Sequence, residues 1–411
     1  MKPPPRGFVP AEAAALLASA PHRLMFFAGA ASVLLSMIWW ACVLLIQARG
    51  GTVATPLPPA WLHAALAQYG MLPPFILGFL LTVFPRWLAQ PALSRRHYVP
   101  VFAGVMGGYL LSLIGTVGAA PLLALGFSAI LAGWLFGLYQ LFGVLRRSGR
   151  RDLHALSCLA ALSVGATGVA LFGGSLWGLL PPASAWFSGR MAALLFLLPV
   201  YFTVCHRMIL FFSGVIVGPA YRAFRPVWSL PAVWALLVAH VALDASGYLG
   251  WLWPVDGALA VLFALHALRW QPWLCRRPGL LLVLHLAFAW LPLAFALFAL
   301  QSAGFALHGQ DYWGRAPLHA LTIGFFGSML VAMVTRVSQG HSGRPLEMAP
   351  VAWFAFAGVQ LVAVLRIAAQ WLPSAPVWMA VAAFGWLLAF LPWVVRYTLI
   401  YWRPRVDGNP G

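Results

Sequence analysis

Eleven histidines are the side chains of this 411-residue sequence best suited to chemistry. Imidazole titrates near neutrality and is the commonest metal ligand. His206 and His285 form one candidate pair of ligands, His63 and His319 another, and His341 a further single one. Two imidazoles at one height on different helices suit a haem iron ligated from both faces. Three or four converging imidazoles would suit copper. His240 has Asp244 four residues on, a spacing that puts both on one helix face. A carboxylate there would fix the imidazole tautomer or deliver protons. Arg207 beside His206, and Arg336 and Arg344 around His341, could hold carboxylates such as haem propionates. At each position the alternative is an imidazole bonded to a nearby carbonyl, or an arginine that merely anchors a loop. No C-x-x-C-H motif is present, so any haem would be non-covalent, of b type.

Composition fixes the elements that must position these groups. Hydrophobic residues make up 63% of the chain and charged residues 8%, whereas a soluble globule needs about 25% charged residues to solvate its surface. The sequence predicts an all-α polytopic membrane helix bundle in a lipid bilayer, forming a single transmembrane domain over 1–411. Twelve apolar runs of spanning length occur. They are Leu24–Ile46, Trp61–Phe84, Tyr98–Ala119, Pro121–Leu145, Leu153–Leu180, Phe187–Phe212, Pro226–Ser246, Tyr248–Leu268, Gly279–Ala299, Ala316–Met333, Pro350–Ala369 and Pro376–Ile400. The third and fourth are parted only by Ala120–Pro121, and the seventh and eighth only by Gly247, which predicts two tight helical hairpins.

Lys+Arg number 25 against 7 Asp+Glu. With an N-terminus in the cytoplasm, 21 of the 25 basic residues, Lys2, Arg6 and Arg23 among them, fall on the inner side. Only Arg49, Arg190, Arg315 and Arg366 fall outside. That bias predicts a multi-pass membrane protein with both termini in the cytoplasm. The basic residues are scattered, not patched, which argues against a nucleic-acid partner. The four cysteines, Cys42, Cys158, Cys205 and Cys275, stand alone, and no Walker or dinucleotide motif occurs. Only Asp244 and Asp256 lie within the spans, which weighs against a paired-carboxylate hydrolase and a proton-coupled transporter.

Depth sorts the histidines. His63 and His319 lie near the outer face, and His240 in the outer half of the seventh run. His206 and His285 each lie about six residues from an inner end, roughly 10 Å deep at ~1.5 Å per residue, so they would face each other. His22, His97 and His154 flank spans near arginines and read as headgroup neighbours.

The stretch Leu318–Leu346 is the most specific. It reads L-H-A-L-T-I-G-F-F-G, then M-L-V-A-M-V-T-R, then G-H-S-G-R-P-L. It resembles the signature of the NnrS family, bacterial polytopic proteins of the nitric oxide response described as haem- and copper-containing. Leu284–Leu293 (L-H-L-A-F-A-W-L-P-L) is similar to that family's L-H-L-G-Y-x-W-L-P-L. His206–Ser213 is similar to its G-R-V-I-P-F-F-T, with His206 in place of glycine. Gly78–Pro85 is similar to G-F-L-L-T-A-V-P. Counting back from Gly78, His63 meets the first histidine of the family's H-A-H-E-M, while Ala65 and Leu66 replace its second histidine and its glutamate.

The resemblance implies twelve spans and a haem protein that binds, and in one version reduces, nitric oxide, with protection against nitrosative stress as the outcome. A quinol or a redox partner would supply electrons for reduction. The loss at Ala65 and Leu66 bears on copper more than on haem. A factor that delivers haem or copper, or a twelve-span transporter, is the alternative.

Overall fold

A computed structural model describes residues 10–408 of the chain. Lys2 and Arg6, counted above with the inner charges, lie outside the described residues. Every regular element among the described residues is helical. A short helix, α1 (Pro10–Leu17), precedes twelve longer ones. These are α2 (Pro21–Ala48), α3 (Pro59–Trp87), α4 (Arg95–Gly115), α5 (Ala120–Ser148), α6 (Leu153–Leu176), α7 (Pro182–Ala220), α8 (Ser229–Ala245), α9 (Leu249–Leu274), α10 (Gly279–His308), α11 (Ala316–His341), α12 (Pro350–Ala368) and α13 (Ala375–Tyr401). Eleven are long and apolar enough to cross a bilayer, and α8 is a shorter apolar helix of 17 residues. The chain is thus a polytopic membrane helix bundle. Helices satisfy their own backbone groups, which is why lipid admits them.

Both expected hairpins form. Helices α4 and α5 meet across residues 116–119, and α8 and α9 across 246–248. The last helix, α13, returns to lie against α2. The α4–α5 crossing runs through small residues: a Cβ added to Gly133 would sit 2.9 Å from Gly104 Cα, so only glycine lets the two backbones approach this closely.

Three helices form the centre. In α3, α7 and α11 at least 72% of the apolar window is buried, against 61% at most in any other span. Each of these three contains a π-helical turn, at Leu66–Met71, Ala192–Leu197 and Ala320–Gly327. The sequence reading did not anticipate them. In α3 and α7 the cause is local: Pro73 and Pro199 follow the wide turns. A proline inside a helix offers no N–H and its ring crowds the carbonyl four residues back, and a widened turn relieves both. Pro73 is preceded by the shifted bond Leu72 N–H to Ala67 O, 3.2 Å. In α11 no proline is involved; Gly324 instead faces the indole of Trp290, which an added Cβ would meet at 2.6 Å. The π-helix is rare and is found most often at functional sites.

At the opposite end, Asp152 caps α6, accepting from the N–H groups of His154 and Ala155. Arg207 of α7 donates to Asp152 Oδ2 at 2.7 Å and lies over the Trp87 ring. Burial raises the Asp152 carboxyl, but the Arg207 and Ala155 hydrogen bonds and the guanidinium charge outweigh it, and the group sits below its ordinary value.

Two consequences are measurable. Gly133→Val should overpack the α4–α5 crossing at a cost of about 1–3 kcal/mol, read as a lower thermal midpoint in detergent. A carboxylate with a depressed folded-state pKa stabilises above its unfolded value, and that contribution is lost as pH falls through the folded one. Arg207→Gln should therefore lower the midpoint at neutral pH and flatten its fall between about pH 5 and the acid limit. An unchanged pH profile would mean that Asp152 draws nothing from Arg207.

Candidate functional site

The wide turns of α3 and α7 and the start of α11 border one cavity of about 320 Å³. Its wall includes Ala64, Ala65 and Gln68 from α3, Arg190 and Leu194 from α7, His240 and Asp244 from α8, and Asp256 from α9. Asp311, Arg315 and Leu318 close it from the segment that leads into α11. The whole chain has seven acidic residues, and three of them line this single space. An ionisable group at membrane depth is a functional candidate by default.

The pairing inside the cavity differs from the i,i+4 expectation. His240 does not pair with Asp244; its Nδ1 meets Asp256 Oδ1 at 2.6 Å, both side chains being buried. Asp244 instead forms an ion pair with Arg190, whose guanidinium also covers the Trp186 ring. The hairpin geometry explains the exchange. His240 and Asp256 each lie eight residues from Tyr248, so a tight antiparallel hairpin brings them to one height. Asp244 points toward α7. Asp256 could have been found by counting eight residues outward on both sides of Tyr248, the residue after the Gly247 turn. Gln68 Oε1 and Asp256 Oδ2 are buried acceptors without a hydrogen-bond partner, so the wall has room for donors it does not itself supply.

His63 and His319 stand near the starts of α3 and α11. They lie within electrostatic reach of each other and of Arg315 and Arg366. The His63 ring stacks on Trp40, with centroids 4.3 Å apart and planes at 7°. His319 Nδ1 is 2.8 Å from the Arg315 carbonyl, so this nitrogen carries the proton and Nε2 is left as the ligand atom. Residues two apart on a helix point about 200° apart. Accordingly Ala65, where the family pattern has its second histidine, lines the cavity, and His63 points away from it.

The inner candidates separate. His285 Nε2 lies 3.3 Å from Ser213 Oγ. His206 turns elsewhere: its Nδ1 is 3.0 Å from His154 Nε2, and its ring lies 5.8 Å from that of His266 and 6.2 Å from that of Trp270. The expected facing of His206 and His285 is replaced by a His154–His206–His266 group, in which His206 Nε2 has no partner. His154 is therefore an interior residue, not a headgroup neighbour. His22 is too, stacked at 4.2 Å on His341 and only 3% exposed. His97 does stay at a helix end, capping α4 with Ser94. Of the three arginines, Arg207 is engaged by Asp152. Arg336 is buried over the Phe212 ring with Nη1 unpartnered, and Arg344 also has an unpartnered Nη1.

The donor sets can be compared with the groups they would hold. Among the described residues no three His, Cys, Asp or Glu side chains are grouped to hold a metal ion. A copper centre of three or four imidazoles therefore does not fit. A haem iron brings four nitrogen ligands of its own, so one or two imidazoles with a free nitrogen are sufficient. His63 with His319 meets that requirement, and so does His240, whose other nitrogen is held by a carboxylate.

No curated protein matches the chain. The family described as NnrS protein matches it over residues 16–405, nearly its whole length. The segments that carry the sequence resemblance lie on the four helices α3, α7, α10 and α11 and run on past the end of α11. The chain belongs to the NnrS family, and shares at family level its association with the nitric oxide response.

Proposed function

We propose that the chain binds nitric oxide at a haem held in the outer half of the bundle, within the cytoplasmic membrane and with both termini inside. The observation that carries this reading is that His63 and His319, each with a nitrogen free, lie within electrostatic reach of each other beside a cavity bordered by the π turns of α3 and α7. A ferrous haem would supply the metal to which nitric oxide coordinates. The chain's own groups do the rest. The Arg315 carbonyl holds the His319 ring in the tautomer that presents Nε2. Trp40 holds the His63 ring flat. Arg190 and Arg315 at the cavity are cations for the carboxylates of the macrocycle. Nitric oxide is small and apolar and partitions into lipid, so a site inside the bundle meets it where it is concentrated.

Reduction, beyond binding, is favoured by the buried His240–Asp256 pair. Joining two molecules of nitric oxide into nitrous oxide and water consumes two electrons and two protons. A hydrogen-bonded imidazole–carboxylate pair in the cavity wall is a proton donor that can be recharged through Asp244 and Asp311 near the mouth. The electrons would come from a quinol or a redox partner.

Two measurements test these readings. Purified protein should give a reduced-minus-oxidised Soret band that moves when nitric oxide is added. His63→Ala and His319→Ala should each lose most of the haem, and Asp256→Asn should keep it while slowing nitric oxide consumption by about 10²–10⁴-fold. Absence of a Soret band, or full haem content in both histidine variants, sinks the assignment. For orientation, Ser148→Cys and Thr52→Cys should react oppositely with a membrane-impermeant thiol reagent in whole cells, with only Thr52→Cys labelled.

A further inference from the structure

The inner end of the bundle holds a second group of basic side chains that the outer site does not use. His22, at the start of α2, stacks on His341, the last residue of α11. His22 Nδ1 is buried and has no hydrogen-bond partner. Arg23, Arg86 and Arg405 lie within electrostatic reach of both rings. Arg23 is only 2% exposed, donates to the carbonyls of Tyr401 and Arg403, and has Arg344 as a further neighbour. Arg344 Nη1 is itself buried without a partner. The carboxylate that answers this charge is Asp407, paired with Arg405 at 2.5 Å.

Among the described residues four guanidinium groups and two imidazoles thus lie together, with Asp407 paired to one of them. Like charges brought together in a partly desolvated crevice repel, and a buried donor without an acceptor carries a further cost. Solvated loop anchors would spread apart; here the chain instead buries Arg23 and one nitrogen of Arg344. An anion with several oxygen acceptors resolves both problems at once. A phosphate group matches in charge and in geometry, since guanidinium forks engage its oxygens in pairs.

We propose that the crevice between the start of α2, the end of α11 and the segment after α13 binds one phosphate group, carried by an anionic phospholipid headgroup or by free phosphate. Arg86 and Arg344 are its principal cations, and His22 Nδ1–H is a neutral donor at its base. Basic crevices between spans on the inner side are suited to such headgroups. Bound there, the phosphate ties the first helix of the bundle to the last.

The test uses full-length protein in a zwitterionic detergent, stripped of lipid, with the thermal midpoint read from tryptophan fluorescence. Phosphatidylglycerol should raise the midpoint by several degrees, and phosphatidylcholine should leave it unchanged. Native mass spectrometry should retain one anionic lipid per chain. If millimolar inorganic phosphate raises the midpoint equally and no lipid is retained, the source is free phosphate. The double variant Arg86→Gln/Arg344→Gln should lose the rise, and Arg86→Lys/Arg344→Lys should recover most of it, which separates binding from misfolding. The same rise in the glutamine variant, or no response to either phosphate source, overturns the proposal. So does loss of haem in His341→Gln, because the anion at this crevice would then be a haem carboxylate.

Discussion

In a bundle surrounded by hydrocarbon, a charge can stay buried only if another group in the protein answers it. That constraint organises this molecule more than any single helix contact. Seven acidic residues face 25 basic ones, so the few carboxylates are a scarce resource and their placement is informative. Asp244 answers Arg190, Asp256 answers His240, and Asp311 lies with them at one outer cavity. Asp152 answers Arg207 at the opposite end, where it also caps a helix. Pairs of this kind contribute little net stability once desolvation is counted.

The cavity depends on irregular backbone. An α-helix of uniform pitch presents a close-packed surface, and three such helices at the centre would close on one another. The π turns in α3 and α7 lie where these helices adjoin the outer cavity. At the same level the helices are also locked together. The Tyr69 hydroxyl bonds to Ser188, and Ser188 Oγ donates to the Gly168 carbonyl, tying α3, α7 and α6 at one level. The glycines and prolines of the family segments belong to this device. Gly324 admits the Trp290 indole, which in turn donates to Gln360, and Pro73 follows the first wide turn.

The two ends of the bundle are electrostatically unlike. The outer end matches most of its charge internally and leaves acceptors such as Gln68 Oε1 unsatisfied. The inner end leaves donors unsatisfied, on His22 and Arg344, among arginines that outnumber their carboxylates.

The sequence by itself determined that the chain lives in lipid, because its charged fraction cannot cover a water-facing surface. It also determined the two tight hairpins and the kinship carried by Leu318–Leu346. The separation of His63 from position 65 onto different sides was legible too, since helical pitch alone dictates it. Tertiary structure decided which partners meet. The i,i+4 rule put Asp244 beside His240, yet the hairpin across Gly247 offered Asp256 at hydrogen-bond distance while Arg190 claimed Asp244. Equal depth brought His63 to His319 but not His206 to His285, because depth fixes one coordinate of a side chain and helix rotation fixes the other. Rotation is set by packing among all the neighbours of a helix, and a hydropathy pattern apolar on nearly every side does not encode it.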